Sequence, residues 1–204
     1  MEPVSLDELK SSLRITNTAE DALLTQYITD ARVMVERFTG RKLITQTLTG
    51  YGMPFGAHDE LWWEGHKVGH VNILTGPLTN IQFDWGPVQS VTSVETIDQD
   101  NAETVYASTN YYLDNYDEDM ANRIVFNSEA VAPSSLRAKD SWKVVYVAGY
   151  GDNASDVPAD IRRAIIMLAG YLWGNRGACT DGKCVESCGA SAMLERFRLG
   201  SVLS

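Results

Sequence analysis

Histidines, cysteines and clustered carboxylates are the side chains of this sequence best equipped for chemistry. His58, His66 and His70 fall within thirteen residues, with Asp59, Glu60 and Glu64 among them. Imidazole and carboxylate at close range could ligate a divalent metal. The stretch also holds Gly65 and Gly69 and has no helix or strand period to aim three imidazoles at one point. A solvated loop is therefore expected. Cys179, Cys184 and Cys188 lack the paired Cys-x-x-Cys or Cys/His spacing of a zinc site, so free thiols in a linker are expected. Asp114, Asp117, Glu118 and Asp119 share only composition with a calcium loop, which needs a central glycine and a terminal glutamate. Trp62, Trp63 and Trp85 could stack on a sugar, which makes a carbohydrate-binding β module the alternative reading. The sequence has no Gly-x-Ser-x-Gly elbow, phosphate-binding loop, dinucleotide fingerprint or His-Glu-x-x-His. No catalytic residue, metal site or cofactor is expected, and the chain reads as a non-enzyme.

The elements that would carry these residues fall into three stretches. Val4 and Leu9 flank Ser5 and Glu8, a capping box three residues apart that opens a short helix ending near Ile15. Thr18 with Asp21 is expected to open a second helix. Its apolar positions Leu24, Tyr27, Ile28, Ala31, Met34, Val35 and Phe38 trace one face, and Gly40 stops it. From Leu43 to Tyr150 short β-branched and aromatic runs alternate with Gly, Pro, Asn and Asp, the pattern of an antiparallel sandwich or barrel. Gly50 to His70 shows no period and is expected to be a loop. Beyond Gly151 helical spacing returns: Pro158 suits the first turn, and Ile161, Ala164, Ile165, Leu168 and Leu172 form a stripe. Ile166, Met167, Tyr171 and Trp173 widen that stripe, so Ile166, Tyr171 and Trp173 are candidates for a subunit interface. Residues 178–190 read as a flexible linker, and 191–203 as a short helix or an extended arm. The expected class is α+β: 1–43 and 151–176 form a helical core, 44–150 an inserted β domain, and 177–204 a linker and arm.

Composition bounds the partners. The 204 residues are 44% hydrophobic with net charge −10, enough apolar content for a core. No apolar run reaches the roughly 18–20 residues that span a bilayer. The acidic start Met1-Glu-Pro-Val-Ser-Leu-Asp-Glu8 does not read as a signal peptide. A soluble chain with no membrane partner is expected, made in a reducing cytoplasm. Residues 158–204 carry six basic and four acidic side chains, while the first 157 carry eleven basic and twenty-three acidic, a net of −12. Such a body has little attraction for nucleic-acid phosphates, and the mildly basic end suggests a protein partner.

Several words in a fixed order resemble the gp6-like head–tail connector (adaptor) proteins of tailed bacteriophages and gene transfer agents. They are Leu6-Asp-Glu-Leu-Lys-Ser-Ser-Leu-Arg-Ile15, Glu20-Asp-Ala-Leu-Leu-Thr-Gln-Tyr-Ile-Thr-Asp-Ala31 and Phe38-Thr-Gly-Arg41. Pro87-Val-Gln-Ser-Val-Thr-Ser-Val94, Val147-Ala-Gly-Tyr-Gly151 and Val157-Pro-Ala-Asp-Ile-Arg-Arg-Ala-Ile165 follow, running to Asn175-Arg176. The resemblance implies a dodecameric ring beneath the portal in the virion neck, bridging to a stopper or tail-completion protein while double-stranded DNA passes without specific binding. It also implies a portal-gripping C-terminal segment, here Arg196, Phe197, Arg198 and Leu199. On that view deleting 191–204 would spare the fold.

Overall fold

Ser5 and Glu8 open the first helix by satisfying each other's backbone. The Glu8 amide donates to Ser5 Oγ at 3.2 Å and the Ser5 amide to Glu8 Oε2 at 2.8 Å. Two of the donors a helix start leaves unpaired are thereby used. In this computed structural model, which describes residues 1–52, 70–73, 80–114, 123–131, 133, 135–176 and 184–199, helix α1 runs Leu6–Leu13 and ends at Arg14 in the left-handed region. Helix α2 runs Asp21–Thr39, with Leu24, Ile28, Ala31 and Val35 buried along one face, and ends at Gly40, φ 71°. The expected cap at Thr18 does not form. Glu20 holds the cap position without a side-chain bond, because its carboxylate is engaged by Trp173 and Arg176.

Helix α3, Ala159–Gly174, buries Ile161, Ala164, Ile165, Leu168, Ala169 and Leu172. It packs on both α1 and α2. At Gly170 an added Cβ would lie 3.0 Å from Leu13 Cδ2, so the small residue is what admits the α1 side chain. Two further turns, α4 (Cys184–Ser187) and α5 (Ser191–Leu194), precede a 3₁₀ turn over Glu195–Phe197. Cys184, Val185, Ala190, Leu194 and Phe197 join the same helical core. The described part of the expected linker and arm is therefore folded. The sequence reading missed it because the buried residues are spread thinly among small polar ones. Deleting 191–204 would therefore remove Leu194 and Phe197 from that core. Cys184 is disulfide-bonded and Cys188 free, which corrects the expectation of free thiols at 184. Met1–Thr45 and Gly149–Ser204 make up this first unit, and Gln46–Ala148 the second.

The second unit is a sheet of eight strands: β1 (Gln46–Gly52), β2 (His70–Ile73), β3 (Asn80–Gln82), β4 (Val88–Ile97), β5 (Glu103–Val105), β6 (Tyr111–Leu113), β7 (Arg123–Phe126) and β8 (Trp142–Ala148). Their order across the sheet is β5-β4-β8-β1-β2-β3-β7-β6. The pairs are antiparallel except β1 with β2, which are parallel. A wholly antiparallel sheet was expected. Parallel neighbours cannot be joined by the tight two-residue turn that links antiparallel strands. Along β8 burial alternates strictly, with Trp142, Val144, Tyr146 and Ala148 inward. Trp142 meets Tyr106 and Phe126 edge-on at 5.1 and 5.6 Å, and Phe83 stacks on Tyr146 at 4.4 Å. Among the described residues no helix is long and apolar enough to cross a membrane.

Trp142 is fully buried and its indole N–H lacks a partner among the described residues. Trp142→Ala is expected to lower unfolding free energy by about 3–5 kcal/mol. Trp142→Phe keeps a smaller aromatic ring in the core and removes the unpaired donor, so it is expected to cost well under half as much. Urea denaturation of both variants measures the difference.

Candidate interface residues

The residues proposed to grip a partner lie on the first unit, and most are engaged within it. Arg41, at the end of the Phe38-Thr-Gly-Arg41 word, is 1% exposed. Its Nε donates to the Phe197 carbonyl at 2.5 Å, and its guanidinium lies 5.9 Å from the centre of the Tyr150 ring. The Leu199 amide donates to the Thr39 carbonyl at 2.8 Å, one of the acceptors that a helix end leaves open. The Leu199 side chain occupies the space beside Gly40, 3.4 Å from where a Cβ would stand. The Arg198 guanidinium lies over Phe38, 5.6 Å from the ring centre.

The four candidates for portal contact therefore divide. Phe197 is buried, and Leu199 is half-buried against the α2 terminus. Arg196 and Arg198 are exposed, Arg196 paired with Asp160 at 2.7 Å and Arg198 with Glu195 at 3.6 Å. Arg41 carried no assigned role in the sequence. The one signal that could have exposed it is a basic residue immediately after the glycine stop of an amphipathic helix, and that signal is also met by any solvated arginine.

The subunit-interface candidates Ile166, Tyr171 and Trp173 are all half-buried on α3. Ile166 and Trp173 pack against their own helical core, and Trp173 Nε1 donates to Glu20 Oε2 at 2.6 Å. Arg176 binds the other Glu20 oxygen. These bonds, the Trp173 one foremost, hold the Glu20 carboxyl below the usual carboxylate range. Glu8 is lowered in the same direction, first by the Ser5 amide and then by Ser5 Oγ and Arg162.

On the second unit a shallow cavity of about 100 Å³ is lined by Leu48, Gly50, Phe83, Asp84, Trp85 and Tyr146. Small-molecule sites usually measure roughly 300–1,000 Å³, so this cavity is smaller than most of them. Burial, then the Asp84 carboxylate, pushes the Tyr146 hydroxyl far up. Trp62 and Trp63, the other sugar-stacking candidates, lie outside the described residues, as do His58, His66 and Cys179. His70 enters strand β2. Asp114 is described and pairs with Arg123 at 2.7 Å, while 117–119 lie outside. Among the described residues no group of three His, Cys, Asp or Glu could hold a metal ion.

Residues 3–64 match the family model described as phage gp6-like head-tail connector protein. That is the part of the chain holding α1, α2 and β1, and it meets the resemblance read from the sequence there. The whole fold is shared with chains from solved gene transfer agent particles. One comes from the neck of an empty particle computed with C6 symmetry, 22% identical, covering 99% of this chain and 92% of that one at TM-score 0.70. A second comes from the virion of a native particle, 22% identical with the same coverage and TM-score 0.69. A third, from the neck of a native particle computed with C12 symmetry, is 21% identical over 98% of this chain and 90% of that one, TM-score 0.68. No curated protein matches the chain.

The Glu20 ties make a prediction about acid. A carboxyl lowered in the folded state contributes stability that is present above its unfolded pKa and lost as pH falls through the folded value. Between pH 6 and pH 3 the wild-type melting temperature is expected to drop more steeply than that of Glu20→Gln, whose side chain does not titrate. Parallel slopes in thermal melts would show that the bonds to Trp173 and Arg176 are worth the same in both charge states.

Proposed function

We propose that this chain is a head–tail connector subunit: copies assemble as a dodecameric ring beneath the portal in the neck of a tailed phage or gene-transfer-agent particle, bridging to a stopper or tail-completion protein. The observation carrying the reading is the agreement of two findings. The N-terminal helices match the connector family model, and the full chain superposes on neck and virion chains at TM-scores of 0.68–0.70. On this reading the protein is structural rather than an enzyme.

In the proposed arrangement the helical unit is the ring body and the β unit its insertion, with 177–204 reaching the portal. Arg196 and Arg198 are the residues of that segment free to meet an acidic portal surface, because their present carboxylate partners are exposed ion pairs of small worth. Phe197 and Leu199 act by holding the segment in place. The apolar α3, through Ile166, Tyr171 and Trp173, supplies lateral contact. The net charge of −12 over residues 1–157 lets DNA pass the ring lumen without sticking.

Sedimentation velocity of the full chain with its cognate portal ring tests the reading. Co-migration at ring stoichiometry is expected. The double variant Arg196→Glu/Arg198→Glu is expected to weaken it by about tenfold or more, with a melting temperature close to wild type. A folded wild-type chain that never migrates with the portal would sink the proposal.

A further inference from the structure

The small cavity of the second unit joins apolar walls to one carboxylate. Leu48 and Gly50 of β1 stand opposite Tyr146 and Val144 of β8. Successive positions on that face of β1 thus carry a leucine side chain and then none. Phe83, Asp84 and Trp85, directly after β3, line the rest of the space. Phe83 stacks on Tyr146 at 4.4 Å, and both are buried, so this wall is a fixed pair of rings. Asp84 is exposed and Trp85 half-buried. The Tyr146 hydroxyl is hydrogen-bonded to the Trp85 backbone and is pushed up by the Asp84 charge. The carboxylate therefore lies close to the aromatic wall.

Aromatic residues and a carboxylate around a small space favour a cation. Ring faces carry negative potential, and cations on apolar stems settle against them. A carboxylate has about four acceptor positions, so Asp84 can accept a further donor beside its present interactions. An anion would meet the Asp84 charge, and a wholly apolar group would desolvate that carboxylate without pairing it. The volume of about 100 Å³ equals about three water molecules' share of the liquid. That suits a charged tip and the carbons behind it. The surrounding unit is acidic: residues 46–148 carry five basic and fourteen acidic side chains, a net of −9. Such a field draws cations in.

We propose that this cavity receives one basic side chain, lysine or arginine, from a protein partner, with Asp84 pairing its charge and Trp85 and Tyr146 flanking its stem. A free small cation gains few contacts in so shallow a site. A side chain carried on a partner brings the surface around it, and a charge seated at one point sets the register of that surface. This role goes beyond the connector reading and does not depend on it.

The test titrates the isotopically labelled full chain with N-acetyl-lysine methylamide and N-acetyl-arginine methylamide, read by amide NMR. The norleucine analogue supplies the stem without the charge. Saturable shifts are expected at Thr49, Gly50, Trp85 and Tyr146 with at least one charged probe, at a dissociation constant in about the millimolar range, and none with norleucine. Asp84→Asn, on an exposed side chain, is expected to weaken binding by about tenfold or more. Trp85→Leu keeps apolar bulk but removes the indole face, and is expected to weaken it by roughly two- to fivefold. Circular dichroism checks that both variants fold. Equal shifts with norleucine, unchanged binding by folded Asp84→Asn, or no saturation with either charged probe would overturn the proposal. Putrescine is the competing free cation, and its binding more than about tenfold tighter than both probes would overturn the assignment to a side chain.

Discussion

One buried guanidinium holds the helical unit together across a long gap in sequence. Arg41 follows α2 directly, yet its hydrogen-bond partner is the carbonyl of Phe197, 156 positions later. Removing a guanidinium from water costs several kcal/mol unless it finds acceptors. Here part of the compensation comes from a backbone oxygen and the face of Tyr150, while Nη1 has no hydrogen-bond partner among the described residues. The choice of α2 terminus, the position of Tyr150 and the path of the last turns are thereby coupled. If any one shifts, a buried charge is left without its partner.

That coupling explains how the helical unit accommodates an insertion of a hundred residues. Its two broken ends meet in backbone pairing: the Tyr150 amide donates to the Leu43 carbonyl at 3.2 Å, and the Thr45 amide to Gly151 at 3.0 Å. Gly149 between them has φ 136°, and an added Cβ would fall 2.6 Å from the Thr45 nitrogen, so no larger residue serves. The chain leaves and returns through one narrow paired stem. The β unit is free to build a core of its own around Trp142, Tyr106 and Phe126.

Several ion pairs of the described residues join elements distant in sequence. These ionisable groups are spent on tying elements together: Glu8 to Arg162, Glu20 to Trp173 and Arg176, Lys143 to two strands. The fold is shared with neck chains at barely a fifth identity.

Local rules alone determined the three long helices and most strands, since caps, stops and periodicity act over a few residues. Ser5 with Glu8, Gly40 and the α3 stripe were readable because each satisfies a demand of its immediate backbone. The same locality made Thr18 a false cap: it has the right spacing, but the carboxylate of Glu20 finds better partners far away on α3. The parallel β1–β2 pair and the burial of 184–199 depend on what a strand or turn meets after a long excursion, so spacing could not show them. Of the candidate contact residues, the types were visible, but their availability was not. Whether Phe197 faces a partner or its own core, and whether Arg41 is a solvated charge or a buried tie, is decided by long-range packing, because burial belongs to the folded chain and not to any single residue.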